Sequence, residues 1–225
     1  MKPSKLIALD CDGVLLDYNL SYPAVWKRAF GTDLVQRDVR YYHADRVYGV
    51  DLSDPQVKAR FHAAFDAEIW QSMPALPGAL QACHDLVRSG HELVCVSAMP
   101  AEFVPARRSN LQALGFPIEQ VVATGPQGSD GGNPKRDPLA RLAPCAFVDD
   151  FARNFAGLPG PLHKALIERG HEDSPNIGLP GWHDSQHRDL QGFADYWLQH
   201  GRGARRAPLV EAWPARQDSN LRPPA

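Results

Sequence analysis

The chain has 225 residues, of which 44% are apolar and 22% charged, and its formal net charge at pH 7 is −2. This length suits one domain with an insertion, or two small domains. The small net charge argues against a protein that binds nucleic acid or anionic membranes through bulk charge. The sequence has no apolar stretch near the ~18 residues of a membrane span and begins without a secretory segment, so we expect a cytoplasmic protein.

Cysteine spacing bears on the redox environment. The four cysteines, Cys11, Cys83, Cys95 and Cys145, form no C-x-x-C pair. Three of them fall in or beside predicted buried strands, which indicates reduced, packed thiols rather than a disulfide framework or a zinc site. Cys11 lies between two aspartates, but alternation along a strand turns its side chain away from theirs.

Short apolar runs alternate with helical patterns along most of the chain. The predicted strands are 5–10, 92–97, 118–123, 145–149 and 163–167, and the predicted helices are 78–89, 101–114, 135–142 and 186–199. The strands are nearly continuous apolar runs, which is typical of a parallel sheet covered on both faces. The sequence therefore predicts an α/β fold with a doubly wound, Rossmann-like core.

Residues 17–75 have a different character, because half of the chain's aromatic residues lie there. Apolar residues at helical spacing, such as Val57, Phe61 and Phe65, predict a small α-helical cap domain inserted into a core of residues 1–16 and 76–200. Most of the aromatic side chains are expected to pack inside the cap. Six residues are candidates to face a cleft and bind a flat phosphorylated substrate: Tyr18, Tyr22, Arg40, Tyr41, Tyr42 and His43.

The tail at residues 201–225 carries five arginines, two acidic residues and four prolines. Its weak apolar periodicity predicts a disordered basic tail. Nucleic-acid binding by this tail is the less favoured alternative.

Two other groups of residues predict no site. The histidines His163, His171, His183 and His187 match no metal-ligand spacing and are expected to be solvated or in loops. Gly125, Gly128, Gly131 and Gly132 lack the pattern of a phosphate-binding loop and predict a flexible loop.

Acidic, hydroxyl and cationic side chains stand at the ends of predicted strands or in the adjoining loop. In chain order they are Asp10, Asp12, Ser97, Lys135, Asp149 and Asp150. Because the carboxyl ends of parallel strands meet at one edge of a sheet, these side chains can line one crevice. Gly13 follows the first acidic pair and permits a sharp turn there.

Phosphoryl transfer is the reaction that this set fits, because carboxylates form aspartyl-phosphates. A carboxylate and a phosphate repel each other. For two unit charges about 4 Å apart in a medium of effective dielectric constant about 20, the repulsion is about 4 kcal/mol. Lys135 can supply one positive charge, and a divalent ion beside Asp149 and Asp150 can supply another. Mg²⁺ suits such a site because it binds through one or two carboxylates, water and phosphate. Ser97 offers a hydroxyl to a phosphoryl oxygen.

The ordered set resembles the motifs of the haloacid dehalogenase-like hydrolase superfamily over residues 1–16 and 76–160. Residues 10–14 resemble the first motif, Ser97 the second, Lys135 the third, and 149–150 the fourth. The resemblance implies that Asp10 is the nucleophile and a Mg²⁺ ligand. It also implies that Asp12 is the general acid and base and binds the metal through its carbonyl, with Asp149 and Asp150 completing the ligand set. The insertion lies where members with a helical cap carry it, and such caps exclude water during catalysis.

Two assignments stay open. Lys135 precedes Asp149 by only 14 residues, a spacing similar to that of the deoxyribonucleotidase-like branch, and Arg136 is the alternative cation. Asn154 is either a further polar group behind the metal site or a surface residue at a helix start.

We therefore expect a Mg²⁺-dependent phosphatase that acts on a small phosphate monoester through an aspartyl-phosphate at Asp10. A 5′-nucleotidase-like substrate leads, followed by sugar and organic-acid phosphates. Dehalogenases of the superfamily lack an acid two residues after the nucleophile, so Asp12 indicates phosphate chemistry. The alternatives are a phosphomutase, which passes the phosphoryl group to a second substrate hydroxyl, and a non-catalytic binding protein with this fold.

Overall fold

The structure is a computed structural model that describes residues 4–125, 132–158 and 160–201. Its centre is a parallel sheet of six strands: β1 Leu6–Leu9, β2 Glu92–Ser97, β3 Gln120–Ala123, β4 Ala146–Asp149, β5 His163–Ile167 and β6 Ser185–His187. The order in the sheet is β3-β2-β1-β4-β5-β6. The chain runs outward from β1 to β3 and then returns to the other side of β1. A crevice therefore opens at the carboxyl ends of β1 and β4, where doubly wound sheets bind their ligands.

Four helices cover the sheet: α5 Ala79–Arg88, α6 Val104–Ala113, α7 Arg136–Leu142 and α8 Leu190–His200. Alternate strand residues contribute to two separate clusters of buried side chains, with Ile7 and Leu9 in one and Ala8 and Phe147 in the other. This burial on both faces explains why the strands are continuous apolar runs. The predicted doubly wound α/β core is confirmed.

The region between β1 and α5 contains a short 3-10 helix at Asn19–Ser21 and four α-helices: α1 Tyr22–Phe30, α2 Ala44–Tyr48, α3 Pro55–Ala63 and α4 Ala67–Gln71. Asp54 accepts backbone hydrogen bonds at the start of α3, and Gly31 ends α1 in the left-handed conformation. The Tyr22 and Phe61 rings pack together with centroids 4.8 Å apart. The boundaries of the predicted cap and core domains stay a prediction.

The predicted helix at 186–199 was wrong at its start. Residues Ser185–His187 form the edge strand β6, which pairs with β5, and α8 begins after Asp189, whose side chain accepts a 2.8 Å hydrogen bond from Gly192 N. The strand is polar, so it has no apolar pattern that predicts it. His163 lies in the predicted strand β5 and His187 in β6, and both side chains are partly buried rather than solvated as expected, each with a ring nitrogen 2.8 Å from the Ser185 hydroxyl.

All four cysteines are free and buried, as expected. No helix in the described part of the chain is long and apolar enough to cross a membrane. The predicted disordered tail beyond Gly201 lies outside the described residues, and so do Gly128 and Gly131 of the glycine-rich loop.

Candidate active site

Three buried carboxylates meet at the carboxyl ends of two neighbouring strands. Asp10 follows β1, and its backbone N–H donates to Val148 O of β4 over 2.8 Å. Asp149 ends β4 and Asp150 follows it. One carboxylate oxygen from each of the three residues lies within 4.8 Å of the others. Strand pairing thus brings together acids that lie about 140 residues apart in the sequence.

Lys135 lies between two of these acids. Its Nζ is 2.6 Å from Asp10 Oδ1 and 2.7 Å from Asp149 Oδ2, and its side chain is 1% exposed. Burial alone lowers the pKa of Lys135, but the two carboxylates outweigh burial and shift the pKa upward, so the ammonium stays charged. Arg136 points away and pairs with Asp137 in an exposed position. Of the two candidate cations, Lys135 is the one at the site.

Neighbouring groups fix the orientation of Asp149. Asn154 Nδ2 donates to Asp149 Oδ2 over 2.9 Å, and Phe151 N donates to Asp149 Oδ1 over 2.8 Å. Asn154 is buried, in a short 3-10 helix at Ala152–Phe155. The structure thus places Asn154 behind the carboxylate rather than on the surface.

Asp150 is held from three directions. The Tyr42 hydroxyl donates to Asp150 Oδ2 over 3.1 Å, Arg169 Nη2 lies 3.7 Å from the same oxygen, and Asn176 Nδ2 donates to the Asp150 carbonyl over 2.9 Å. Burial raises the pKa of Tyr42 well above its ordinary value, so that its hydroxyl remains a donor.

The charge in this cluster is unbalanced. Burial raises the pKa of Asp10, although Lys135 opposes the shift. Burial and then Asp149 raise the pKa of Asp150 to about 7. Three carboxylates share one ammonium group, with Arg169 at the margin. A buried group of oxygen ligands with excess negative charge fits a hard divalent cation such as Mg²⁺.

Asp12 lies outside this carboxylate cluster. Its Oδ1 accepts a 2.8 Å hydrogen bond from Arg107 Nη2, and its side chain is 27% exposed while that of Arg107 is fully buried. Burial alone lowers the pKa of Arg107, but Asp12 outweighs it and the net shift is upward. The two acids of the first motif therefore have different environments: Asp10 contacts lysine, and Asp12 contacts arginine.

Gly13 makes the turn that separates these acids, with φ +86°. A Cβ on this residue would lie 1.9 Å from Asp150 Oδ2. Glycine is therefore required both for the left-handed backbone and for the close approach of Asp150.

A cavity of about 680 Å³ opens beside Asp12, Gly13 and Asp150. Of the six candidate substrate-binding residues, Tyr18, Tyr22, Tyr42 and His43 line it. Arg40 instead pairs with Asp38 and Glu172, and the Tyr41 ring lies 4.0 Å from the Arg46 guanidinium carbon. Neither of those two is among the described residues that line the cavity.

Ser97 ends β2 beside β1 and is 2% exposed. Its carbonyl accepts a 3.0 Å hydrogen bond from Thr124 N, which joins the ends of β2 and β3. The sequence pattern thus placed Ser97 at the edge of the sheet where the acids lie.

Sequence reasoning missed three residues of the site. Arg169 follows β5 by two positions, so it could have been predicted, like Asp10, from its place at the carboxyl end of a parallel strand. Asn176 lies in the turns between β5 and β6, where no strand end marks it. Arg107 lies within α6, and no local pattern marks it.

Neither a family model nor a curated protein matches this sequence. Solved structures do match its fold. A haloacid dehalogenase-like family hydrolase from Streptococcus pneumoniae is 14% identical, with a TM-score of 0.59 over 88% of this chain and 100% of its own. The L-2-haloacid dehalogenase from Xanthobacter autotrophicus is 11% identical, with a TM-score of 0.55 over 88% and 99% of the two chains. A protein described as a predicted phosphoglycolate phosphatase from Haemophilus somnus 129pt is 17% identical, with a TM-score of 0.53 over 87% and 99%.

At these identities the likeness concerns the fold. The chain has the fold of the haloacid dehalogenase-like hydrolases, and it carries an acidic cluster at the carboxyl ends of β1 and β4. The resemblance inferred from the motifs is confirmed at that level. Enzymes described as phosphatases and as dehalogenases share this fold, so the fold alone leaves the reaction open.

Proposed function

We propose that this protein is a Mg²⁺-dependent phosphatase that hydrolyses a small phosphate monoester through an aspartyl-phosphate at Asp10. The observation that carries the proposal is the position of Lys135, with Nζ 2.6 Å from Asp10 Oδ1 and 2.7 Å from Asp149 Oδ2. A fixed cation beside a carboxylate offsets the repulsion between that carboxylate and a phosphate dianion.

The chemistry divides between the two acids. Asp10 attacks phosphorus, the ester P–O bond breaks, and Asp12 gives a proton to the leaving oxygen. Water then attacks the aspartyl-phosphate while Asp12 takes up its proton, which releases inorganic phosphate and restores both carboxyl groups. Mg²⁺ held by Asp10, Asp149 and Asp150 would supply further positive charge to the phosphoryl oxygens.

Asp12 also favours phosphatase over dehalogenase chemistry. A haloalkanoate releases halide, which needs no proton from the protein. An alkoxide leaving group does need one, and Asp12 lines the cavity where that group would lie.

The test is the substitution Asp10→Asn. Purified wild-type protein is expected to hydrolyse p-nitrophenyl phosphate with Mg²⁺ present and to lose that activity in EDTA. Asp10→Asn abolishes turnover, whereas Asp33→Asn, at an exposed carboxylate paired with Lys27, retains it. Full activity in Asp10→Asn would refute the mechanism.

Product analysis separates the alternatives. A hydrolase releases one inorganic phosphate for each substrate consumed, whether or not an alcohol acceptor is added. A phosphomutase releases little phosphate and forms an isomeric ester. A binding protein with this fold would bind phosphate esters without turnover.

The cavity favours a flat leaving group without negative charge, so a 5′-nucleotide remains the leading substrate. The rings of Tyr18 and Tyr22 line the cavity together with the carboxylates of Asp17, Asp45 and Asp51, and its cationic side chains are Lys58 and Arg169. None of these three carboxylates forms an ion pair within the described part of the chain. Because acidic side chains outnumber the two basic ones in the lining, the cavity as a whole would disfavour a second anionic group on the substrate.

Nucleoside 5′-monophosphates are therefore expected to give the highest kcat/KM in a panel, with neutral sugar phosphates next. Phosphoglycolate, whose leaving group carries a carboxylate, is expected to be last. A preference for phosphoglycolate would contradict this order.

A further inference from the structure

Arg107 is a fully buried arginine next to the proposed acid and base. It lies on α6, the helix that follows β2, and its guanidinium donates to Asp12 Oδ1 from Nη2 over 2.8 Å. A buried charge needs a compensating partner. Asp12 is the only acidic residue in the described chain whose carboxylate lies within 4.0 Å of this guanidinium.

The packing around Arg107 fixes the direction of its guanidinium. Nη1 lies 3.2 Å from Met73 Sδ, and the guanidinium carbon lies 4.8 Å from the centre of the Trp70 ring. Asn110, one turn further along α6, donates to the Met73 carbonyl over 3.1 Å. The arginine is therefore enclosed between α6 and the end of α4, and these contacts hold its guanidinium beside Asp12.

This contact gives the two oxygens of the Asp12 carboxyl group different environments. Oδ1 is bound to Arg107, and within the described residues the Asp12 carboxyl group has no other hydrogen bond. The side chain is 27% exposed and lines the cavity. With Oδ1 fixed, Oδ2 is the oxygen left to exchange a proton with a bound ester.

We propose that Arg107 is a positioning residue that fixes Asp12 Oδ1 so that Oδ2 donates a proton to the leaving oxygen. This inference rests on the proposed phosphatase function. In the first step the Asp10–phosphorus bond forms, the ester P–O bond breaks, and the Asp12 proton passes to the departing oxygen. In the second step water supplies the proton that Asp12 takes back. Arg107 touches neither the substrate nor phosphorus.

The test compares two esters of the same shape, phenyl phosphate and p-nitrophenyl phosphate. Phenolate is the more basic leaving group and depends more on the proton as it leaves, whereas p-nitrophenolate leaves more readily without it. The ratio kcat/KM reports the first step, in which the leaving group departs. General acid catalysis contributes roughly 10²–10⁴-fold, so Arg107→Met is expected to lower kcat/KM for phenyl phosphate by about 10²-fold and for p-nitrophenyl phosphate by about tenfold or less.

Three further variants make the test specific. Arg107→Lys keeps a buried positive charge and should recover part of the phenyl phosphate activity. If Arg107→Met does not fold, the losses of kcat/KM for the two esters are compared in Arg107→Lys instead. Arg108→Met, at an exposed arginine on the same helix, should leave kcat/KM unchanged for both esters. In an Asp12→Asn background, Arg107→Met should no longer alter the preference between the two esters.

Equal losses for the two esters in Arg107→Met would overturn the inference, because a merely structural role lowers both alike. A further change of preference in the Asp12→Asn background would overturn it as well. Wild-type protein that hydrolyses neither ester with Mg²⁺ present would overturn the proposed function itself, and the inference with it. The wild-type measurement therefore separates the two failures.

Discussion

Replacing Gly13 by alanine is expected to damage both stability and the metal site. The backbone at Gly13 has φ +86°, where an L-residue is less stable than glycine by about 1–2 kcal/mol. The new Cβ would also lie 1.9 Å from Asp150 Oδ2 and 2.5 Å from its Cγ. Asp150 Oδ2, which accepts the hydrogen bond from the Tyr42 hydroxyl, must therefore move by about 1 Å or more. Overpacking of this kind adds about 1–3 kcal/mol, which brings the expected loss to about 2–5 kcal/mol.

Gly31→Ala is the matched control. Gly31 has φ +73° and no atom within 4 Å of the position of its Cβ, so it isolates the backbone contribution of about 1–2 kcal/mol. Guanidinium unfolding followed by circular dichroism measures both losses, and Mg²⁺-dependent phosphatase activity measures the effect on the site. Only Gly13→Ala should lose activity. Equal losses of stability in the two variants, with normal activity in Gly13→Ala, would refute the steric argument.

Three further predictions concern stability. Lys135→Met should lower the free energy of unfolding by about 3–5 kcal/mol, because it leaves buried carboxylates unpaired. In the same denaturation assay, Lys27→Met, which removes an exposed ion pair, should lower the free energy of unfolding by less than about 1 kcal/mol. Burial lowers the pKa of His187 from 6.5 to about 4, so stability should fall as pH drops through that range and His187→Asn should flatten the dependence. Asp189→Ala removes the side-chain cap of α8 and should lower the free energy of unfolding by about 1 kcal/mol, which is measured as a lower melting temperature.

Each of these predictions has a contradicting result. Equal losses in the two lysine variants would mean that the buried pairs of Lys135 contribute no more than a surface pair. The sign of the histidine effect is fixed, since the unfolded chain binds more protons than the native one between the two pKa values. An unchanged pH dependence in His187→Asn would assign the effect to other groups. An unchanged melting temperature in Asp189→Ala would show that the cap hydrogen bond does not stabilise α8.

Much of the sheet and the set of acids could be predicted from the sequence. The strands Glu92–Ser97 and His163–Ile167 lie where the apolar runs predicted them, because strands buried on both faces need continuous apolar residues. Asp10 and Asp149 could be brought together without a structure, because the carboxyl ends of parallel strands share one edge. These conclusions depend on local pattern and on one general rule of topology.

Only the tertiary structure decided which partners hold these acids. Tyr42 reaches Asp150 across 108 residues of sequence, and Arg107 reaches Asp12 across 95. Such contacts depend on how separate helices pack, and no spacing in the chain records them. The polar strand at Ser185–His187 likewise depends on tertiary structure, because it forms by pairing with β5 and has no apolar pattern of its own. The sequence determined which acidic side chains lie at the sheet edge, and the packing of distant segments determined the environment of each carboxylate.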